Sequence, residues 1–269
     1  MKKIITSILV SGLLASASMA KEVSTYEYGA FKSAEDVKSA LSAQGLQVVG
    51  EYDAMSNPDY HVIAYTCPTL TKDASKEHRG FAAVEKVMVD KADNKLVMTN
   101  PEYFLHAFMQ DEYNEAHAQK VNTKLANAFG TLQASKDGLD ADDIEEYHFM
   151  MGMPYYEDMI EVAEGEGLEA KLEANAKDKI VFKIKAGNAT VYGIAMPTEK
   201  GEAYYVKEIK GEQNAAFLPY MLMIEDNKAK ILHPKYYLAI SYPNLSMGEF
   251  MSISSTPGEI EDYMAGFFK

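Results

Sequence analysis

Apolar and polar residues alternate along this chain with two different periods, and the two periods follow one another in the same order twice. Weak alternation with period two predicts a strand over 24–31, and further strands are expected at 46–53, 61–67, 84–91 and 95–99. Val37, Ala40 and Leu41 at helical spacing, with Gly45 beyond them as a stop, predict a helix over 33–44. A helical or irregular segment is expected at 71–80, and a long helix over about 101–128, opened by Pro101. The second half reads as strand 146–153, helix 155–166, strands 168–174, 179–185 and 189–196, a helical segment 202–210, strands 218–225 and 229–233, and a helix after Pro234. Gly187-Asn188, Asp93-Asn94 and Asp226-Asn227 supply residues that tolerate left-handed turns, so each is expected to close a hairpin.

The recurrence extends to individual residues. At an offset of 133, Asp93, Asn94, Lys95, Pro101, Tyr103 and Leu105 meet Asp226, Asn227, Lys228, Pro234, Tyr236 and Leu238. At an offset of 122, Glu35, Asp36, Val37, Gly45 and Leu46 meet Glu157, Asp158, Met159, Gly167 and Leu168, and at 129 Cys67-Pro68-Thr69 meets Met196-Pro197-Thr198. The expected fold class is therefore α+β, with two tandem homologous domains, each an antiparallel sheet backed by helices, packed as a pseudo-dimer. The first repeat domain is placed at 21–130, a linker at 131–145 and the second repeat domain at 146–269.

Residues 1–20 have another character. Lys2 and Lys3, an apolar run from Ile4 to Leu14, and small residues up to Ala20 have the order of a secretory signal peptide, cut after Ala20. The apolar run is shorter than the roughly 20 residues of a membrane span, so no membrane insertion of the mature chain is expected, and the protein is placed as periplasmic or secreted. The net charge of −14 becomes −16 without Lys2 and Lys3, and a surface so acidic repels phosphate backbones, which disfavours nucleic acid as a partner. Cys67 is the only cysteine, so no internal disulfide can form.

Taken together, the helix ending in Gly-hydrophobic (Gly45-Leu46, Gly167-Leu168), the strand running into Cys67-Pro68, the Leu218-Pro219 before a hairpin and the strands ending at Pro101 and Pro234 resemble the family called domain of unknown function 302. The resemblance spans both halves. It implies a small α+β domain, often dimeric, and no established activity. Members commonly carry a Cys where this chain has Cys67. The second copy has Met196 there, and the first copy has Glu85-Lys86 in place of the Leu-Pro.

Cys67 is the first candidate for chemistry, since a thiolate is the best nucleophile and soft-metal ligand in the chain. His61 precedes it by six residues, about 20 Å along an extended strand, so the two cannot meet within that strand. Cys67, His61, Arg79 and Met196 are the candidate ligand-binding residues. His148, Met150, Met151 and Met153, with Cys67, form a second set, because thioether and imidazole ligands suit Cu(I); core packing is the competing account, and alternation would put His148 and Met150 on one face and Met151 and Met153 on the other. His106 and His117, about 16 Å apart on one predicted helix, cannot share an ion. The acidic run Asp137–Asp143 lacks the ligand spacing of a calcium loop and reads as solvated linker.

No phosphate loop, Gly-x-Ser-x-Gly or His-Glu-x-x-His occurs, which lowers the prior for an enzyme. The leading expectation is an exported binding or accessory protein with a cleft between two related domains, its partner an unknown small ligand or a periplasmic protein. A copper- or haem-handling protein and an enzyme with its site at the domain junction are the alternatives; the cofactor is left open, as is a homodimer.

Overall fold

The computed structural model describes residues 21–269, so the segment read as a signal peptide lies outside the described residues. The first half runs β1 (Glu22–Ser24), β2 (Tyr26–Ala30), α1 (Ala34–Ala43), β3 (Gln47–Asp53), β4 (Tyr60–Thr66), α2 (Pro68–Asp73), β5 (Glu85–Asp90), β6 (Lys95–Thr99), α3 (Pro101–Met109) and α4 (Glu115–Phe129). After β7 (Gln133–Ala134), β8 (Gly138–Asp140) and α5 (Ala141–Ile144), the second half runs β9 (Ile160–Glu164), α6 (Leu168–Ala176), β10 (Ile180–Ala186), β11 (Ala189–Ile194), α7 (Glu202–Glu208), β12 (Tyr220–Glu225), β13 (Lys228–Ile231), α8 (Pro234–Ser241), α9 (Met247–Ser252) and α10 (Thr256–Gly266). Antiparallel sheets with helices against them make the fold α+β.

Local chemistry fixes many of the boundaries. The Ser33 hydroxyl accepts the Asp36 N–H at 3.2 Å to open α1, and Gly45, at φ 65, ends it in the left-handed conformation a side chain would disfavour. Asn100 caps α3 ahead of Pro101, and His233 caps α8 ahead of Pro234. Asn94 and both Asp226 and Asn227 have positive φ, as the expected hairpin turns demand.

The larger sheet has the order β3-β4-β5-β6-β2-β7 and the smaller one β10-β11-β12-β13-β9. Apart from β7, the two orders correspond strand for strand, which is compatible with the duplication read from the sequence. Even an irregularity recurs, since the register shifts between Val48 and Gly50 in β3 and again between Ile180 and Phe182 in β10.

Four expectations need correction. Residues 146–153 form no strand and 155–166 no helix; the first strand of the second half is β9, and the segment read as a strand at 168–174 is α6, with Leu168, Leu172 and Ala176 buried along one face. Gly167, matched to the helix-ending Gly45, instead opens a helix at φ 71. The long helix breaks at Gln110, whose φ is 53, and Asn114 caps a new one, so His106 and His117 sit on different helices. Residues 131–145, expected as linker, return to the first half: β7 pairs with β2, and β8 pairs with β1.

The buried side chains of both halves form one continuous core, and the contacts between the halves are reciprocal. The Tyr103 hydroxyl donates to the Ile240 carbonyl at 2.9 Å, and the Tyr236 hydroxyl donates to the Ala107 carbonyl at 3.2 Å. Tyr103 corresponds to Tyr236, and Ala107 to Ile240, at the same offset of 133. The short 3-10 segment Gly80–Ala83 lies on β10, β11 and β12, while its counterpart Glu212–Phe217 lies on β4, β5 and β6. Gly80 is required for that approach, because a Cβ there would stand 2.7 Å from the Met223 sulfur.

The edge strands β3 and β10 face each other at their bulges, and a Cβ on Gly50 would stand 2.1 Å from the Val181 carbonyl oxygen. Each sheet thereby covers an edge of the other, which removes a site for stray strand pairing.

Tyr103→Phe and Tyr236→Phe should each destabilise the protein by about 1–2 kcal/mol, the usual cost of a lost buried hydrogen bond. Gly50→Ala should cost at least as much through overpacking, roughly 1–3 kcal/mol. Urea midpoints check all three, and wild-type midpoints for the two tyrosine variants would contradict the seam as described.

Candidate functional site

The sequence-derived candidates do not converge. Cys67 is 2% exposed and enclosed in the core at the start of α2. His61 stands at the far end of β4, with Nδ1 2.7 Å from Asp53 and Nε2 3.4 Å from Glu51. Met196 is buried before α7, and its N–H donates to Glu202 at 3.2 Å. Only Arg79 reaches across the seam by its side chain: it pairs with Glu157 at 3.0 Å and Asp111 at 3.2 Å, and lies over the Tyr156 ring at 5.2 Å. None of the four lines the cleft between Tyr28 and Tyr242.

The second candidate set also departs from its expectation. Residues 148–153 turn rather than alternate, with Gly152 at φ 83 and the Met153 N–H donating to the Met150 carbonyl at 2.9 Å. His148 packs on the Tyr155 ring at 4.4 Å, Phe149 stacks on Phe250 of α9 at 4.5 Å, and Met151 is 94% exposed. Met150 and Met151 therefore face solvent in the second half while Cys67 is enclosed in the first. Among the described residues no three His, Cys, Asp or Glu side chains gather as a metal site.

What the fold does build is a cleft of about 500 Å³ where the halves meet, within the usual range for small-molecule sites. Tyr28 from β2 and Lys136 and Asp137 from the returning segment form one wall; Lys210, Gly211, Asn214 and Tyr242 from the second half form the other. A chain of hydrogen bonds spans it. The Tyr28 hydroxyl donates to the Asn214 Oδ1 at 2.9 Å, and Asn214 Nδ2 donates to the Asp137 carboxylate at 3.0 Å. With its amide oxygen and nitrogen both engaged, Asn214 is held in one orientation. Burial pushes the Tyr28 phenol up to about 12 and raises the Asp137 carboxyl, so Tyr28 stays a proton donor at neutral pH. Lys136 and Lys210 add cations to the lining of the cleft.

The two loops that lead into the 3-10 segments are held differently. His78 and Lys210 both precede their 3-10 segments with positive φ, 61 and 54. At His78, Glu225 accepts the backbone N–H at 3.1 Å and contacts the ring Nδ1 at 2.8 Å, and the Tyr156 hydroxyl caps the carbonyl at 2.6 Å. The residue matching Glu225 is Asp90, one methylene shorter, which accepts the Asp93 N–H of its own turn at 3.0 Å instead. The loop at Lys210 lacks that bridge and the cleft lies beside it.

Two groups that the sequence did not single out give the seam its electrostatics. Glu202, only 2% exposed, accepts from the Tyr52 hydroxyl at 3.1 Å, the Met55 N–H at 3.2 Å and the Met196 N–H. It thereby holds the Met55-Ser56 turn, where both residues have positive φ. Burial raises its pKa to about 7 against those three donors. On β5, burial raises the Glu85 carboxyl and lowers the neighbouring Lys86 ammonium. Lys86 Nζ lies 3.7 Å from the Met221 sulfur across the seam, and Thr99 donates to Glu85.

No family model, curated protein or solved structure matches the chain.

Folded Glu202 keeps its proton up to about pH 7, whereas an ordinary Glu releases it near 4.5. The unfolded state therefore binds fewer protons between those values, and this group's contribution is fully present below the lower one and lost as pH rises through the upper. Stability measured by urea from pH 5 to 8 should fall less steeply in Glu202→Gln than in wild type, by roughly a few kcal/mol over the window. Parallel slopes would show that Glu202 does not titrate there.

Proposed function

We propose that this is an exported binding or accessory protein that holds a small polar ligand in the cleft between its halves. The observation that carries the reading is the preformed Tyr28–Asn214–Asp137 chain, which ties one wall of the cleft to the other before any ligand arrives. Polar groups fixed in advance lose little freedom on binding, which favours affinity for a ligand that matches them. Export, with a periplasmic or secreted location, rests on the basic, apolar and small-residue order of residues 1–20. The tandem arrangement, with the resemblance to domain of unknown function 302, supports an accessory role in which the halves together frame one asymmetric site.

The test is native mass spectrometry of the mature chain after incubation with a periplasmic extract of its own source. Retention of a small molecule by the wild type and its loss, by about tenfold or more in occupancy, from Asn214→Ala is the expected outcome, since an unpaired buried partner costs on the order of 1–3 kcal/mol. Equal occupancy in Asn214→Ala, or no retained species, would contradict the cleft as the binding site.

A further inference from the structure

The large apolar side chains that stand in solvent are not scattered. Of the six such residues among the described residues, Met150, Met151 and Tyr155 lie on the 148–155 turn, and Met247 and Met251 lie four residues apart on α9. The Phe149–Phe250 stack at 4.5 Å fastens the turn to that helix, so these five belong to one structural unit. Met151, at the apex of the turn, is 94% exposed and Met251 is 59% exposed. Unbranched thioether side chains adapt their shape to whatever covers them, and such surfaces recur where a protein receives an amphipathic segment.

Charge decides what that segment is. Residues 137–170 contain twelve Asp or Glu and no Lys or Arg, and residues 236–268 contain four and none. These two stretches supply the turn and α9. Arg79 reaches Glu157 and Lys200 reaches Glu259, but among the described residues no basic side chain is ion-paired with Asp142, Asp143, Glu145, Glu146 or Asp158. All five are exposed. Exposed carboxylates on the segments that carry an apolar face attract a cationic partner, repel anionic lipid heads, and disfavour a second copy of a chain whose own net charge is −14.

We infer that the methionine face formed by the 148–155 turn and α9 is a docking surface for a cationic amphipathic segment of a partner protein. The apolar side of that segment covers the four exposed methionines, and its Lys or Arg residues meet those carboxylates. The surface adjoins the junction cleft, since Glu249 of α9 lines the cleft, but Met151 and Met251 lie outside the cleft lining.

The probe is an amphipathic helical peptide of Lys and Leu, titrated into the mature chain by calorimetry, with a Glu and Leu peptide of the same pattern as control. Binding of the Lys peptide alone is expected, weakening as salt rises and falling by about tenfold in a Met151→Ser/Met251→Ser variant, as the loss of two thioether contacts implies. Both substituted residues are exposed, and an unchanged melting midpoint checks that the variant folds. No binding of the Lys peptide, or equal binding by the variant, would overturn the inference. So would a Met151-dependent dimer in sedimentation, or Met151-dependent flotation with phosphatidylcholine vesicles, since each assigns the face to a different occupant.

Discussion

Two tyrosines related by the repeat each donate a hydrogen bond to the carbonyl of the residue related by that same repeat in the opposite half, Tyr103 to Ile240 and Tyr236 to Ala107. This exchange sets α3 against α8, and the remaining contacts follow from it. Each half sends its 3-10 segment onto the other's sheet, and the bulged edges β3 and β10 meet where Gly50 leaves room for the Val181 carbonyl. Neither half is buried without the other. With no disulfide available, the seam is the means by which residues 21–269 are held as one body.

The cleft arises where the reciprocity fails. Glu225 binds the His78 loop on one side, whereas its counterpart Asp90 bonds within its own turn and leaves the Lys210 loop without such a bridge. The segment after Gly130 adds a second asymmetry, since it brings Asp137 to Asn214 on one side of the molecule only. A site built this way needs no matched pair of catalytic residues. That accords with a chain in which Cys67 and His148 have no counterparts of their own kind in the other half.

Much of the architecture was legible in the residues. In the first half, β3, β4, β5 and β6 were located to within a residue or two, because short apolar runs bounded by turn residues mark buried strands. Tyr103 and Tyr236 could be matched to each other, but not seen to cross, since a sequence comparison shows equivalence and not partners. The start of the second half was misplaced because Glu-Asp and Gly-Leu pairs recur by chance, while the informative signal, Leu168, Leu172 and Ala176 at helical spacing, was outweighed by them. The break at Gln110 was missed because its residues are ordinary helix formers, and Asn114 as a cap was the signal that could have revealed it. The cleft was hidden for a different reason: Asp137 looked like one of many solvated acids, and Asn214 lies in a segment whose placement depends entirely on the other half.

If the seam makes the halves one body, residues 21–269 must unfold as one. Differential scanning calorimetry tests this directly. The account predicts a single transition in which the calorimetric and van't Hoff enthalpies agree. Two resolved transitions, or a calorimetric enthalpy about twice the van't Hoff value, would show halves that stand alone and would contradict it.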